Sequence, residues 1–252
     1  MIALDRICAG YGGRAKLFDL SLTLRPGVLT GIVGPNGSGK STLLKAVAGL
    51  LMPMGGRMTL DGQDLTRMPP KERARKIAFM PQSRPVPELT VAQLAAHGRY
   101  PYLGARRALS AQDRALVREA MARAGIAQHA GTLLSELSGG ERQRAYLAML
   151  LARDAPCLLL DEPAAFLDPG AQLDLMRLLR QLASEGRAVA VVLHDLPLAL
   201  SFCDELLVLR AGRLAGCAMP GAPGTAELLG EIFGVRIVPA QEPGVYAVAG
   251  LS

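Results

Sequence analysis

The 252-residue sequence predicts an α/β fold built on a mainly parallel sheet flanked by helices. Three observations lead there. From residue 137 onward, helix-patterned stretches alternate with short apolar strands, the order expected of a sheet covered on both faces. The β-rich run Leu29-Thr-Gly-Ile-Val33 passes through a glycine-rich loop directly into a helical stretch. Half of the residues are hydrophobic, enough at this length to bury a large core and to exclude a disordered chain. An antiparallel β part is expected at the N-terminal end, and an inserted helical subdomain at about 83–136.

The elements follow in order. Residues 1–33 alternate apolar runs with turns at Gly10-Tyr11-Gly12-Gly13 and Pro26-Gly27, giving two or three strands. Residues 41–51 suit a helix that Pro53 and Gly55-Gly56 would stop. Residues 57–82 read as a strand, a turn at Asp61-Gly62, a short basic helix and a strand Ile77–Met80. Three prolines at 81–87 mark a change of character. A capping box Ser110-Ala-Gln-Asp113 then opens a helix whose apolar face is Leu116, Val117, Ala120, Met121 and Ala124, closed by Gly125. Helices at 141–153 and 171–184 lead into strands Cys157–Leu160 and Ala188–Leu193, and a further helix precedes strand Glu205–Leu209. The glycine- and proline-rich last 40 residues are too short for an independent domain. One domain over 1–252 is therefore expected, with a C-terminal extension at about 211–252.

Composition narrows the function classes. No run of 18 apolar residues occurs, so no membrane span is expected, and the start Met-Ile-Ala-Leu-Asp-Arg lacks the order of an export signal. Cys8, Cys157, Cys203 and Cys217 stand far apart and read as reduced, small hydrophobic residues. The net charge of +6 suggests an acidic partner, and residues 61–126 hold 12 Lys+Arg against 6 Asp+Glu. With five Phe, five Tyr and no Trp, and no aromatics interleaved in basic runs, nucleic acid is not the expected partner.

Gly34-Pro35-Asn36-Gly37-Ser38-Gly39-Lys40-Ser41 fits the phosphate-loop pattern G-x-x-x-x-G-K-[ST] and sits between a strand and a helix. Its glycines let backbone N–H groups surround phosphate oxygens at a helix N-terminus. Lys40 would reach the β/γ-phosphates, and the Ser41 hydroxyl would ligate Mg²⁺. The strand Cys157-Leu-Leu-Leu ends in Asp161-Glu162, suited to hold Mg²⁺ through water and to act as general base, respectively. Ser138-Gly139-Gly140-Glu141 opens another helix; it is both a capping box and a second phosphate-binding device.

The phosphate loop, Leu137-Ser-Gly-Gly-Glu141 and Leu158-Leu-Leu-Asp-Glu162, in this order, resemble the ATP-binding subunits of ABC transporters over essentially the whole chain. The resemblance implies a P-loop NTPase core, ATP and Mg²⁺ as cofactors, and ATP hydrolysis in a head-to-tail homodimer. Each ATP would lie between Gly34, Pro35, Asn36, Gly37, Ser38, Gly39, Lys40, Ser41 and Thr42 of one copy and Ser138, Gly139, Gly140 and Glu141 of the other. It further implies Tyr11 stacked on adenine, Gln82 on Mg²⁺ and the attacking water, His194 near the γ-phosphate, and Asp168 at the dimer interface. Mg²⁺ would be held by Ser41, Gln82 and Asp161; catalysis would fall to Glu162, His194 and Gln82. His97 and His129 read as surface or structurally satisfied residues. One departure stands out: Pro163-Ala164-Ala165-Phe166-Leu167-Asp168 lacks two hydroxyls found in the family's Pro-Thr-Ser-Ala-Leu-Asp, which puts that loop's cross-dimer hydrogen bonds in question.

Leu89-Thr90-Val91, Gly98-Arg99-Tyr100-Pro101-Tyr102, His194-Asp195-Leu196 and Ile232-Phe233-Gly234-Val235 look like the ATPases of importers for iron–siderophores, haem and vitamin B12. The resemblance implies separate multi-span permease subunits, an indirect link to a substrate-binding protein, and a peripheral place on the cytoplasmic face of the bacterial inner membrane. Zinc/manganese import, a soluble ATPase that remodels nucleic acid, and nucleotide binding with little turnover stay open as alternatives.

Overall fold

The computed structural model describes residues 1–104, 108–165, 167–239 and 246–250. Phe166, and parts of the inserted and C-terminal segments, lie outside them.

Strand β1 (Ile2–Tyr11) turns through Gly12-Gly13 into β2 (Arg14–Leu24), and β3 (Leu29–Val33) leads through the glycine-rich loop to helix α1 (Lys40–Val47). Next come β4 (Pro53–Leu60), β5 (Gln63–Asp64), α2 (Pro70–Lys76) and β6 (Ile77–Met80). Helices α3 (Val91–His97), α4 (Ala111–Arg123) and α5 (Gly139–Ala152) follow. The alternation then runs β7 (Cys157–Asp161), α6 (Pro169–Ser184), β8 (Ala188–Val192), α7 (Leu196–Phe202) and β9 (Glu205–Arg210). Strand β10 (Arg213–Ala218), helix α8 (Thr225–Phe233) and the antiparallel pair β11 (Arg236–Pro239) and β12 (Tyr246–Ala249) follow.

Two sheets carry the fold. One is antiparallel, in the order β2-β1-β4-β5; the other runs β10-β9-β3-β8-β7-β6. In the second, β9, β3, β8, β7 and β6 are parallel and only β10 is antiparallel. Strands β3, β7 and β8 are buried along their whole length, which is why they read as unbroken apolar runs. Helix α1 lies between the sheets. Leu43, Leu44, Ala46 and Val47 pack with Ile7, Leu17 and Leu20 of the antiparallel sheet and with Ile32, Leu159 and Val192 of the parallel one. Covered on both sides, the helix buries residues all round its axis. A second core on the far face of the parallel sheet gathers side chains from α3, α4, α5 and α6.

The end of α1 differs from expectation. Helix α1 ends at Val47 rather than near Leu51, and Pro53 begins a strand instead of stopping a helix. Gly55-Gly56, expected with Pro53 to stop that helix, lies inside β4. The β1–β4 register shifts between Asp5 and Cys8, and Gly56 has φ 83° beside Arg6 at φ 49°. A Cβ on Gly56 would lie 2.3 Å from the Arg6 carbonyl oxygen, so this β-bulge requires glycine. Helix α5 packs against α3 and α4. At the other end β10 joins the main sheet, and Leu229 and Ile237 enter the core.

Candidate active site

Parallel pairing puts the C-terminal ends of β3, β6, β7 and β8 on one edge of the sheet, with Met80 opposite Leu160 and Asp161 opposite Val192. In open α/β sheets the crevice outside these ends is where ligands bind. Each end leads directly into residues singled out above: 34–42, Gln82, Asp161-Glu162 and His194.

The loop after β3 needs its glycines. Gly34 has φ 154°, and a Cβ there would meet the Leu209 carbonyl oxygen at 2.1 Å. Gly39, at φ 104°, turns the chain into α1, and its Cβ would reach Leu17 Cδ2 at 2.7 Å. No acidic side chain occupies the first turn of α1, so its N-terminal potential is not neutralised from within that turn. Lys40 is buried, and its Nζ donates to the carbonyls of Gly34 (2.7 Å) and Pro35 (3.1 Å). Burial lowers the ammonium's pKa, while Glu162 and Asp161 oppose that shift. The Ser38 hydroxyl in the same loop is buried without a hydrogen-bond partner.

Asp161 closes β7 at 2% exposure. Burial raises its pKa, countered by a hydrogen bond from Ser41 Oγ at 3.0 Å, and the neighbouring Glu162 raises it further. At Glu162 the backbone enters the left-handed region, φ 52°. Both oxygens of its carboxylate are engaged: Gln82 Nε2 donates to Oε2 at 2.6 Å, and His194 Nε2 lies 2.5 Å from Oε1. Two residues from two neighbouring strand ends thus converge on the carboxylate at the end of a third.

The other expected residues lie further out. Tyr11, at the end of β1, is 47% exposed, with the Lys45 ammonium 5.9 Å from its ring centroid. Ser138 caps α5: its Oγ accepts from Glu141 N (3.3 Å), and its own N donates to Glu141 Oε2 (2.9 Å). Gly139 is exposed and Gly140 half-buried at that helix start. Among the described residues, none of the hydrogen bonds of Ser138 or Glu141 reaches residues 34–42 of the same chain. Asp168 caps α6 by accepting from Ala171 N at 2.9 Å. His129 lies 3.2 Å from Glu141, and His97 stacks on Tyr100 with ring centroids 4.4 Å apart. Burial pushes the Cys157 and Cys203 thiols up to about 12.

Sequence reasoning passed over two glutamines. Gln172 Nε2 donates to the carbonyls of Ala164 and Leu167, both at 3.2 Å, and so holds the loop that lacks two hydroxyls. Gln143 is buried on α5, accepts from Arg84 and donates to the Pro163 carbonyl. A signal for Gln143 existed: it shares the i, i+4, i+7 stripe with Leu147 and Leu150, where a polar residue is out of place unless bonded.

A family model described as ABC transporter matches residues 17–165. The cobalamin import ATP-binding protein of Halobacterium salinarum is 42% identical over 238 residues, covering 94% of this chain and 59% of that protein. The chain therefore spans well under two thirds of that relative's length. The hemin import ATP-binding protein of Pseudomonas entomophila is 40% identical over 249 residues, 96% of each chain. Among solved structures, a dimeric bacterial ABC transporter cassette superposes with a TM-score of 0.79 at 29% identity, covering 88% of this chain and all of the other. The phosphate loop, the Asp161-Glu162 strand end and these likenesses agree, and the chain belongs to the ABC transporter family.

Proposed function

We infer that this chain is the ATP-hydrolysing subunit of an importer that takes up an iron complex (siderophore or haem) or vitamin B12 through a separate multi-span permease. The observation that carries the ATPase reading is the double engagement of the Glu162 carboxylate by Gln82 and His194. A carboxylate held at both oxygens, beside a buried lysine in a phosphate loop, is oriented to take the proton of a water attacking a γ-phosphate. Lys40 neutralises charge on the β/γ-phosphates, and Tyr11 stacks on the adenine. Two copies pair head to tail, so that Ser138, Gly139, Gly140 and Glu141 of one close over residues 34–42 of the other, with Asp168 at the interface. Residues 1–252 form a single ATP-binding domain with a helical insert at about 83–136 and a C-terminal extension at about 211–252.

The donor set suits magnesium. Ser41 Oγ and Asp161 Oδ1 are 3.0 Å apart, and the Gln82 amide, which donates through nitrogen, keeps its oxygen as a further hard ligand. Ser41, Gln82 and Asp161 are the residues that would hold the ion, which supplies positive charge against the phosphates when bound. Among the described residues no group of three His, Cys, Asp or Glu forms a metal site by itself, as befits an ion shared with a phosphate.

Support for the substrate class comes from the import functions named for the relatives and from the segment Gly98–Tyr102. No helix among the described residues is long and apolar enough to cross a membrane. In this reading a permease partner supplies the channel, with the chain peripheral on the cytoplasmic face of the bacterial inner membrane and the substrate-binding protein reached indirectly. The decisive experiment is Glu162→Gln: phosphate release should fall by about 10²–10⁴ while ATP binding persists. Turnover at the wild-type rate would remove Glu162 as the base.

A further inference from the structure

We propose that Gln143 is a positioning residue that couples the exposed start of α5 to the backbone beside Glu162, so that nucleotide contact at one site sets the geometry of hydrolysis at the other. This rests on the ATPase and dimer readings above and deepens them. Gln143 is 7% exposed and lies about one turn into α5 from Ser138. Its Oε1 accepts from Arg84 Nη2 and its Nε2 donates to the Pro163 carbonyl. Arg84 stands two residues beyond Gln82, and Pro163 directly follows Glu162. One buried amide therefore spans the loop that carries Gln82 and the strand exit that carries Glu162. Tyr146, one helical turn further along α5, reinforces the link: its hydroxyl donates to the Pro85 carbonyl, and the Arg84 guanidinium sits 5.2 Å from its ring centroid.

Two physical points give the bridge a consequence. A buried amide is costly to leave unpaired, so Arg84 and Pro163 follow α5 when it shifts. Glu162 is held in a left-handed conformation that its surroundings must maintain. A cavity of about 210 Å³, lined by Gln82, Arg84, Gly139 and Gln143 among others, lies alongside the bridge and leaves room for α5 to move. In the dimer, the end of α5 meets the nucleotide held by the partner, whereas Gln143 acts on this chain's own Glu162. Hydrolysis at each site then depends on ATP at the other.

The test uses the full chain with Gln143→Glu and Gln143→Leu. Glutamate keeps an acceptor for Arg84 but loses the donor to Pro163; leucine loses both. For Gln143→Glu we expect kcat to fall roughly tenfold, the scale of a sub-ångström misplacement of a catalytic group. The KM for ATP should stay within about twofold, and a wild-type Hill coefficient above one should drop toward one. Gln143→Leu should behave likewise, and a melting curve run beside it separates lost activity from lost folding. A wild-type Hill coefficient of one, or Gln143→Glu with unchanged kcat and cooperativity, overturns the proposal. If the wild-type chain itself released no phosphate, the ATPase reading would fail instead, so the two failures are distinguishable.

Discussion

Glu162 shows how much of a site can be read from contiguous residues and where that reading stops. Lys40, Ser41, Asp161 and Glu162 are legible because their chemistry sits inside short motifs at a strand end or helix start. Gln82 and His194 are single residues after strands; only the resemblance to a family singled them out, and only the parallel pairing of β6, β7 and β8 brings them to one carboxylate. Gln172 escaped because its partners are backbone carbonyls of the loop after β7, which no local pattern records, whereas Gln143 left a trace as a polar residue on an apolar helix stripe. Tyr11 belongs to the same scale. Its ring is half exposed and free to stack, so Tyr11→Ala should weaken ATP binding by about 1–3 kcal/mol, the range seen for base–aromatic stacking. That is roughly a 5- to 150-fold rise in Kd, measurable by nucleotide titration. An unchanged Kd would separate Tyr11 from the adenine.

Among the elements, one arginine ties three helices of the helical layer together. Arg99 Nε donates to Asp113 Oδ1 at 2.8 Å, and its Nη1 donates to the carbonyls of Ala152 and Arg153 at 3.0 and 3.3 Å. A single guanidinium thus joins the end of α3, the first turn of α4 and the last turn of α5, and the Tyr102 ring covers it at 3.9 Å. The Gly98–Tyr102 segment, read from sequence as a family marker, is also a structural clamp. With both partners of the ion pair nearly buried, Arg99→Met should destabilise the chain by about 3 kcal/mol. The melting temperature should then drop by roughly 6–12 °C. Asp113 makes the same clamp pH-dependent. Hydrogen bonds from Ser110, with Arg99 adding to them, hold its carboxyl below the usual carboxylate range. Its contribution is therefore complete above that range and lost as pH falls through the depressed folded value. The stability gap between wild type and Asp113→Asn should be constant near neutrality and close in acid. A gap that persisted at low pH would mean that the charge is not what stabilises the junction.

For the whole molecule, several cations of the basic excess at residues 61–126 are hydrogen-bonded within the chain. Lys71 donates to the Leu103 carbonyl, Arg73 to Gly49 and Leu65, Arg75 to Pro101, Arg84 to Gln143 and Arg99 to α5. These acceptors are neutral, so the hydrogen bonds fix where the cations sit without removing their charge. The larger consequence concerns completeness. Within one chain, the described hydrogen bonds of Ser138 and Glu141 close the N-terminal cap of α5 and do not reach the phosphate loop. If ATP joins that end to the loop of a second copy, ATP must drive association, and hydrolysis must undo it. Glu162→Gln, able to bind but not to hydrolyse, should therefore double in mass with Mg²⁺-ATP in sedimentation or light scattering and revert when nucleotide is removed. Ser138→Arg added to it places a bulky cation at the closing surface. The double variant should stay monomeric in ATP while keeping the melting temperature of the nucleotide-free chain within a few degrees, because Ser138 is exposed and a lost cap costs only about 1 kcal/mol. ATP-driven dimers that tolerate Ser138→Arg would show that the two halves of the site do not meet across the pair.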